Sequence, residues 1–140
     1  MSKERAVGID LGTTYSAMAW VDDANHSALI QNAEGDLLTP SSVLFEDDDV
    51  IVGKDAKKLG VYEPARLAEV VKRDMGRPFY NKKILDVQFP PEVIQAFILR
   101  KMKRDLAAVA GENIQAVITV PAFFDEPRRK ATVDAAMMAG

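Results

Sequence analysis

The run Ala6-Val7-Gly8-Ile9-Asp10-Leu11-Gly12-Thr13-Thr14-Tyr15-Ser16 restricts the fold more than any other stretch of the chain. Its first five residues are apolar apart from the closing Asp10, and glycine punctuates them, so residues 6–10 read as a buried strand ending on a carboxylate. Leu11-Gly12-Thr13-Thr14 is a tight turn, and Tyr15–Val21 is a second strand. Residues 22–26 form another turn, 27–31 a third strand and 32–36 a further turn. Three strands joined by short turns predict an antiparallel meander.

Thr39-Pro40-Ser41 opens an extended stretch over 42–45. The acidic run Glu46-Asp47-Asp48-Asp49 is the solvated tip of a hairpin with Val50-Ile51-Val52 returning; its spacing does not match a calcium loop. Lys54–Gly60 predicts a helix, residues 64–76 have no clear period and admit a short one, and 77–90 are irregular. The longest helix begins at Pro91, a favoured first position, and stops before Gly111, a natural cap. Leu99, Met102, Leu106 and Val109 share a face, and Val93, Phe97 and Ile98 widen it, so much of this helix is buried. Lys101, Lys103 and Arg104 read as its solvated face. Residues 116–120 predict a fourth buried strand, and Asp125 caps a final helix over 126–139. Strands first, then helix, strand and helix, predict an α/β fold: a mixed sheet with flanking helices.

Charge and composition narrow the functional classes. A net charge of −3 without a clustered basic face argues against nucleic acid as partner. No apolar run approaches the ~18 residues of a membrane span. The start, Met1-Ser2-Lys3-Glu4-Arg5, carries both signs of charge and no apolar core, so no signal peptide is expected. The Asn25-His26-Ser27 sequon then carries no meaning, and His26 reads as a solvated turn residue. The absence of cysteine excludes disulfides, thiolate metal sites and a thiol nucleophile.

The chemistry sits in the first turn. Gly12 lets backbone N–H groups approach a phosphate closely, and the Thr13 and Thr14 hydroxyls can donate to phosphate oxygens. The neighbouring Asp10 carboxylate repels phosphate unless Mg²⁺, held through water, lies between them. A plain hairpin in which Asp10 and Thr13 satisfy turn backbone groups explains the same residue types equally well. No Gly-Lys-Ser/Thr segment of the P-loop kind is present.

Gly8-Ile9-Asp10-Leu11-Gly12-Thr13-Thr14-Tyr15-Ser16 resembles the first phosphate loop of the heat-shock protein 70 (DnaK-type) chaperone family. Thr39-Pro40-Ser41-Ser42-Val43 resembles that family's entry to its outer subdomain, and Lys72-Arg73 followed by Gly76 its lysine segment. Ala116-Val117-Ile118-Thr119-Val120-Pro121-Ala122-Phe123-Phe124, then Arg129, Ala131-Thr132 and Asp134-Ala135, is similar to a further segment. The resemblance covers nearly the whole chain. It implies the first lobe of an actin-like, ribonuclease-H-like ATPase domain. An inner subdomain would take about residues 1–38 with 112–140, and an outer one about 39–111.

It also implies roles: Asp10 holding Mg²⁺ through water, and Gly12, Thr13, Thr14 and Tyr15 cradling the phosphates of ATP or ADP. Lys72 would stabilise the transferring phosphoryl group, and Pro121 and Arg129 would relay nucleotide state to a substrate-binding domain. Without the resemblance, Lys72 and Arg129 read as exposed helix cations and Pro121 as a strand terminator. The protein implied is a cytoplasmic chaperone whose clients are unfolded polypeptides and whose helpers are co-chaperones. Sugar kinases and filament-forming actin-like proteins share the first loop and are the alternatives, although neither explains Lys72 together with residues 119–124. Three departures stand out. The family's second phosphate loop and adenosine pocket fall beyond Gly140. Residues 77–90 are shorter than the family's segment, which implies a trimmed outer subdomain. Leu37 stands where the family often has arginine.

Overall fold

The computed structural model describes residues 5–140; the mixed-charge start Met1-Ser2-Lys3-Glu4 lies outside the described residues. Strand β1 (Arg5–Asp10) runs antiparallel to β2 (Tyr15–Val21), with Val7 opposite Trp20 and Asp10 opposite Ala17. Strand β3 (Ser27–Leu29) pairs antiparallel with β2, completing the expected meander. The third strand is shorter than 27–31. Ile30 still donates its N–H to Met18 O at 2.8 Å, and the chain then turns into a loop organised by Asn32.

The two residues of β4 (Thr39–Pro40) pair with the first two of β2, laying Thr39-Pro40-Ser41 beside the first turn. A second, three-stranded sheet follows from β5 (Ser42–Phe45), β6 (Val50–Val52) and β7 (Leu67–Glu69), with β5 in the middle. Its acidic tip is the expected hairpin turn: Glu46 N–H donates to Asp49 O, and the Asp49 carboxylate accepts from Val50 N–H. Helix α1 (Lys54–Gly60) packs on β5 and β6.

Residues 64–76 hold more than a short helix. They form a 3₁₀ turn (Pro64–Arg66), β7, and a second 3₁₀ turn (Val71–Asp74) entered through Val70 at φ 57°. No periodicity rule anticipates that entry, because a β-branched residue in the left-handed region is an outlier. Residues 77–90 are irregular as expected, with one bridge between Ile84 and Val87.

Helix α2 (Pro91–Ala110) starts and stops at the expected signals, with Gly111 at φ 78° as its cap. Ile94, Ile98, Leu99, Met102 and Leu106 are buried along it, in one core with Val7, Ile9, Met18, Val43 and Val71. Val109 departs from the expected face: it is 49% exposed near the helix end. Lys101 departs too. Its side chain is only 12% accessible and its ammonium donates to Asp105 (2.6 Å) and Glu34 (3.0 Å), so it is an internal ion-pair residue rather than a solvated one.

Strand β8 (Ile114–Thr119) lies parallel to β1, making the sheet mixed, in the order β3-β2-β1-β8. It starts two residues earlier than expected and ends at Thr119, one residue short of Val120; Pro121, which has no N–H to donate to a ladder, follows. It is not buried as expected. It is paired only with β1 among the described residues, and Val117 is 63% exposed. Asp125 caps α3 (Glu126–Ala139), accepting from Arg128 N–H at 3.2 Å, and α3 packs along α2 with Ala135 in the core. No helix of the described residues is long and apolar enough to cross a membrane.

Candidate functional site

Among the described glycines, Gly12 in the turn between β1 and β2 leaves the least room for a side chain. A Cβ on Gly12 would lie 1.9 Å from the carbonyl oxygen of Tyr15, so only glycine closes this turn without displacement. Ser41 locks it from the β4 side. Its hydroxyl donates to Gly12 O (2.9 Å) and lies 2.9 Å from the buried Ser16 hydroxyl, while its N–H donates to Thr14 O (2.9 Å). The Thr-Pro-Ser segment therefore serves the first turn as well as opening the second sheet.

Asp10 sits at the exposed end of β1, level with Thr119 of β8. The Thr119 hydroxyl donates to Asp10 Oδ1 (3.2 Å) and, more weakly, to Ile9 O (3.4 Å). Among the described residues Asp10 Oδ2 has no hydrogen-bond donor. One oxygen is thus oriented by the neighbouring strand while the residue stays exposed, an arrangement suited to a metal held through water. Tyr15 is fixed differently: its hydroxyl accepts from Lys57 (3.3 Å), whose ammonium also lies 5.0 Å from the ring centroid.

Lys72 comes from the second 3₁₀ turn, and the fold carries it to the turn between β1 and β2. A cleft of about 290 Å³ is lined by Thr13, Lys72 and Arg73 together with Pro121, Phe123, Phe124 and Arg128. Three stretches of chain far apart in sequence meet there. The cleft has three cationic side chains, one hydroxyl and no carboxylate in its lining; Asp125, 3.8 Å from Arg128, offsets part of that charge, and Lys72 and Arg73 leave the potential favouring an anion. Gly76 secures the contact between its walls: at φ 90°, a Cβ there would lie 2.9 Å from Arg128 Cγ.

The expected site residues divide accordingly. Thr13, Lys72 and Pro121 share the cleft; Asp10, Gly12, Thr14 and Tyr15 belong to the adjoining hairpin but do not line it. Arg129 points away from it. Its Nε donates to Phe124 O (3.0 Å), bracing the turn in which Phe124 N–H reaches Pro121 O, and it lines a separate apolar groove with Val120 and Val133. Sequence reasoning overlooked Ser41, Thr119, Arg73 and Arg128 as site residues. Ser41 and Thr119 lay inside recognisable segments, but their hydroxyl contacts depend on strand pairing. Arg128, next to Arg129, had no distinguishing signal.

A mixed α/β sheet whose first hairpin and a distant lysine turn meet at one cationic cleft defines an α/β protein with a candidate anion site. Comparison with known proteins makes the assignment specific. The family model described as Hsp70 protein matches residues 6–87 and 80–140. The chain is 43% identical to the chaperone protein DnaK of Halobacterium salinarum over 141 residues, which is all of this chain and 22% of that protein. It is 44% identical to DnaK of Thermotoga neapolitana and of Thermotoga maritima over 140 residues, 99% of this chain and 23% of each. The chain belongs to the Hsp70 family. It spans less than a quarter of the length of these relatives.

Proposed function

We propose that these residues are the first lobe of the nucleotide-binding domain of an ATP-driven chaperone, an actin-like lobe with a ribonuclease-H-like sheet. The inner subdomain comprises about residues 1–38 with 112–140 and the outer one about 39–111, trimmed at 77–90. The observation that carries this reading is the meeting of Thr13 and Lys72 at one cationic cleft, beside the Gly12 turn. Family membership favours neither a sugar kinase nor a filament protein.

In this reading the backbone of residues 12–15 and the Thr13 hydroxyl cradle the β- and γ-phosphates of ATP. Lys72 faces the transferring phosphoryl group, stabilises the charge that shifts on its oxygens and orients the attacking water. Phosphoryl transfer needs such positioning and charge neutralisation more than covalent chemistry. Asp10 would hold Mg²⁺ through water, its carboxylate oriented by Thr119. The metal, when bound, neutralises phosphate charge. Pro121 lines the cleft and Arg129 braces the Pro121–Phe124 turn, so a shift of bound phosphate could be passed to α3. The full-length protein would act in the cytoplasm on unfolded polypeptides, with co-chaperones.

The test is single-turnover hydrolysis of ATP by the full-length protein carrying Lys72→Ala, with nucleotide affinity measured separately. An interaction that strengthens only in the transition state lowers turnover more than binding. Hydrolysis should fall about 10²–10³-fold while affinity changes little. Hydrolysis at the parental rate would remove Lys72 from the mechanism.

A further inference from the structure

The backbone that presents Lys72 is strained, and the irregular stretch after it holds it in place. Val70 sits at φ 57° immediately before the 3₁₀ turn, a conformation unfavourable for a β-branched residue and persisting only where its surroundings enforce it. Two contacts enforce it, one on each side. On the near side the Tyr80 hydroxyl accepts from Glu69 N–H (3.1 Å) and donates to Glu69 O (2.7 Å), gripping both backbone groups of the residue before Val70. On the far side the Asp74 carboxylate, on a residue 3% exposed, accepts from Asn81 N–H at 2.9 Å. Asp74 O also accepts from Arg77 N–H. Residues 80 and 81 thus clasp residues 69 and 74, with Lys72 between them. The clasp is itself anchored, because the Tyr80 ring is buried and its N–H donates to Phe89 O (2.8 Å) at the approach to α2.

We propose that Tyr80 and Asp74 are positioning residues for Lys72: by pinning the two ends of the strained turn, they set where its ammonium meets the phosphate cleft. The inference rests on the reading of Lys72 given above. The buried Tyr80 phenol is spent on both backbone groups of Glu69, and the buried Asp74 carboxylate on Asn81 N–H and, at 3.5 Å, on the Arg77 guanidinium, so both ends of the turn that carries Lys72 are tied to the segment that follows it. Burial raises the pKa of the Tyr80 phenol against the lowering effect of its bond to Glu69, and the charges of Asp74 and Glu69 raise it further. The hydroxyl therefore keeps the proton it donates to Glu69 O.

The experiment uses full-length protein and single-turnover ATP hydrolysis, with nucleotide affinity and thermal melting recorded for each variant. Tyr80→Phe deletes one oxygen and keeps the ring. Asp74→Ala deletes the acceptor, and Asp74→Asn keeps one oxygen for Asn81 N–H. A slightly misplaced catalytic group costs far more in rate than in binding, so Tyr80→Phe and Asp74→Ala should each slow hydrolysis by about tenfold with affinity within about twofold. Asp74→Asn should recover most of the loss. On a Lys72→Ala background neither change should slow hydrolysis further, since the group they position is gone. Parental hydrolysis in folded Tyr80→Phe protein, with only its melting point lowered, would overturn the proposal. So would an undiminished effect on the Lys72→Ala background. If Asp74→Ala does not fold, Tyr80→Phe decides alone. Failure of the underlying reading shows separately, as parental hydrolysis by Lys72→Ala itself.

Discussion

At Gly12 one absent atom decides the geometry of the first turn. An alanine Cβ there would overlap the Tyr15 carbonyl oxygen at 1.9 Å, and that carbonyl belongs to backbone already paired with β4. The turn must open, and Ser41 loses its fit to Gly12 O. Gly12→Ala should therefore lower stability by on the order of 2–3 kcal/mol, the range of strained backbone positions. Gly8→Ala is the control. Its nearest atom would be Ala19 O at 3.9 Å, ordinary contact, and it should stay within about 0.5 kcal/mol. Denaturant melts of the two variants check this, and equal losses would mean that the turn is not the constraint. Gly12 was legible in the sequence because an isolated glycine between two strands has few other uses. Lys72 was not: a lysine carries no mark of what it faces, and only the resemblance singled it out. Ser41 lay between these cases, inside a recognisable segment whose hydroxyl contacts exist only after β4 pairs with β2.

Helix α2 shows how an element can be right in outline and wrong on one face. Its start, stop and apolar stripe follow from Pro91, Gly111 and the spacing of Leu99, Met102 and Leu106. The reading of Lys101 as solvated failed because its partner Glu34 arrives from a loop 67 residues earlier. Burial works against the Lys101 ammonium, but hydrogen bonds to Asp105 and Glu34, with their charges, outweigh it and raise the pKa above the ordinary 10.5. A lysine with a raised folded-state pKa contributes fully below its unfolded value and loses that contribution as pH rises through the folded one. Lys101→Met should thus be less stable than the parent near about pH 8, and the gap should close as pH climbs above the ordinary lysine value. Urea melts across that range test it; a constant gap would assign the loss to packing. The lysine turn was the least legible element. Its entry through Val70 at φ 57° goes against the local preference of valine, and the contacts that hold the turn come from Tyr80 and Asn81 in a neighbouring stretch. Strand β8 was legible as a strand but not in its exposure, since an apolar run is the same in a sheet's middle and at its edge.

For the molecule as a whole, the decisive quantity is how much binding energy one wall of a cleft can supply. The cleft gathers Lys72, Arg73 and Arg128 around Thr13, and Arg73 is exposed while the other two are half-buried. Charge contacts open to water contribute about 0–1 kcal/mol each. Three of them, with one hydroxyl adding about 1 kcal/mol, reach roughly 4 kcal/mol at best, which corresponds to a dissociation constant near 1 mM. Salt at physiological strength reduces that further, because the Debye length is then about 8 Å. These 140 residues, under a quarter of the length of their DnaK relatives, should accordingly bind ATP·Mg²⁺ only weakly, with a dissociation constant of about 1 mM or more. Titration calorimetry on this chain alone measures it, and the small heat that remains should vanish as salt is raised. Binding tighter than about 0.1 mM would require roughly 1.4 kcal/mol more than these side chains provide. The Gly12 turn and its cleft would then be a complete site on their own, and the proposed first lobe would not need a second wall to hold nucleotide.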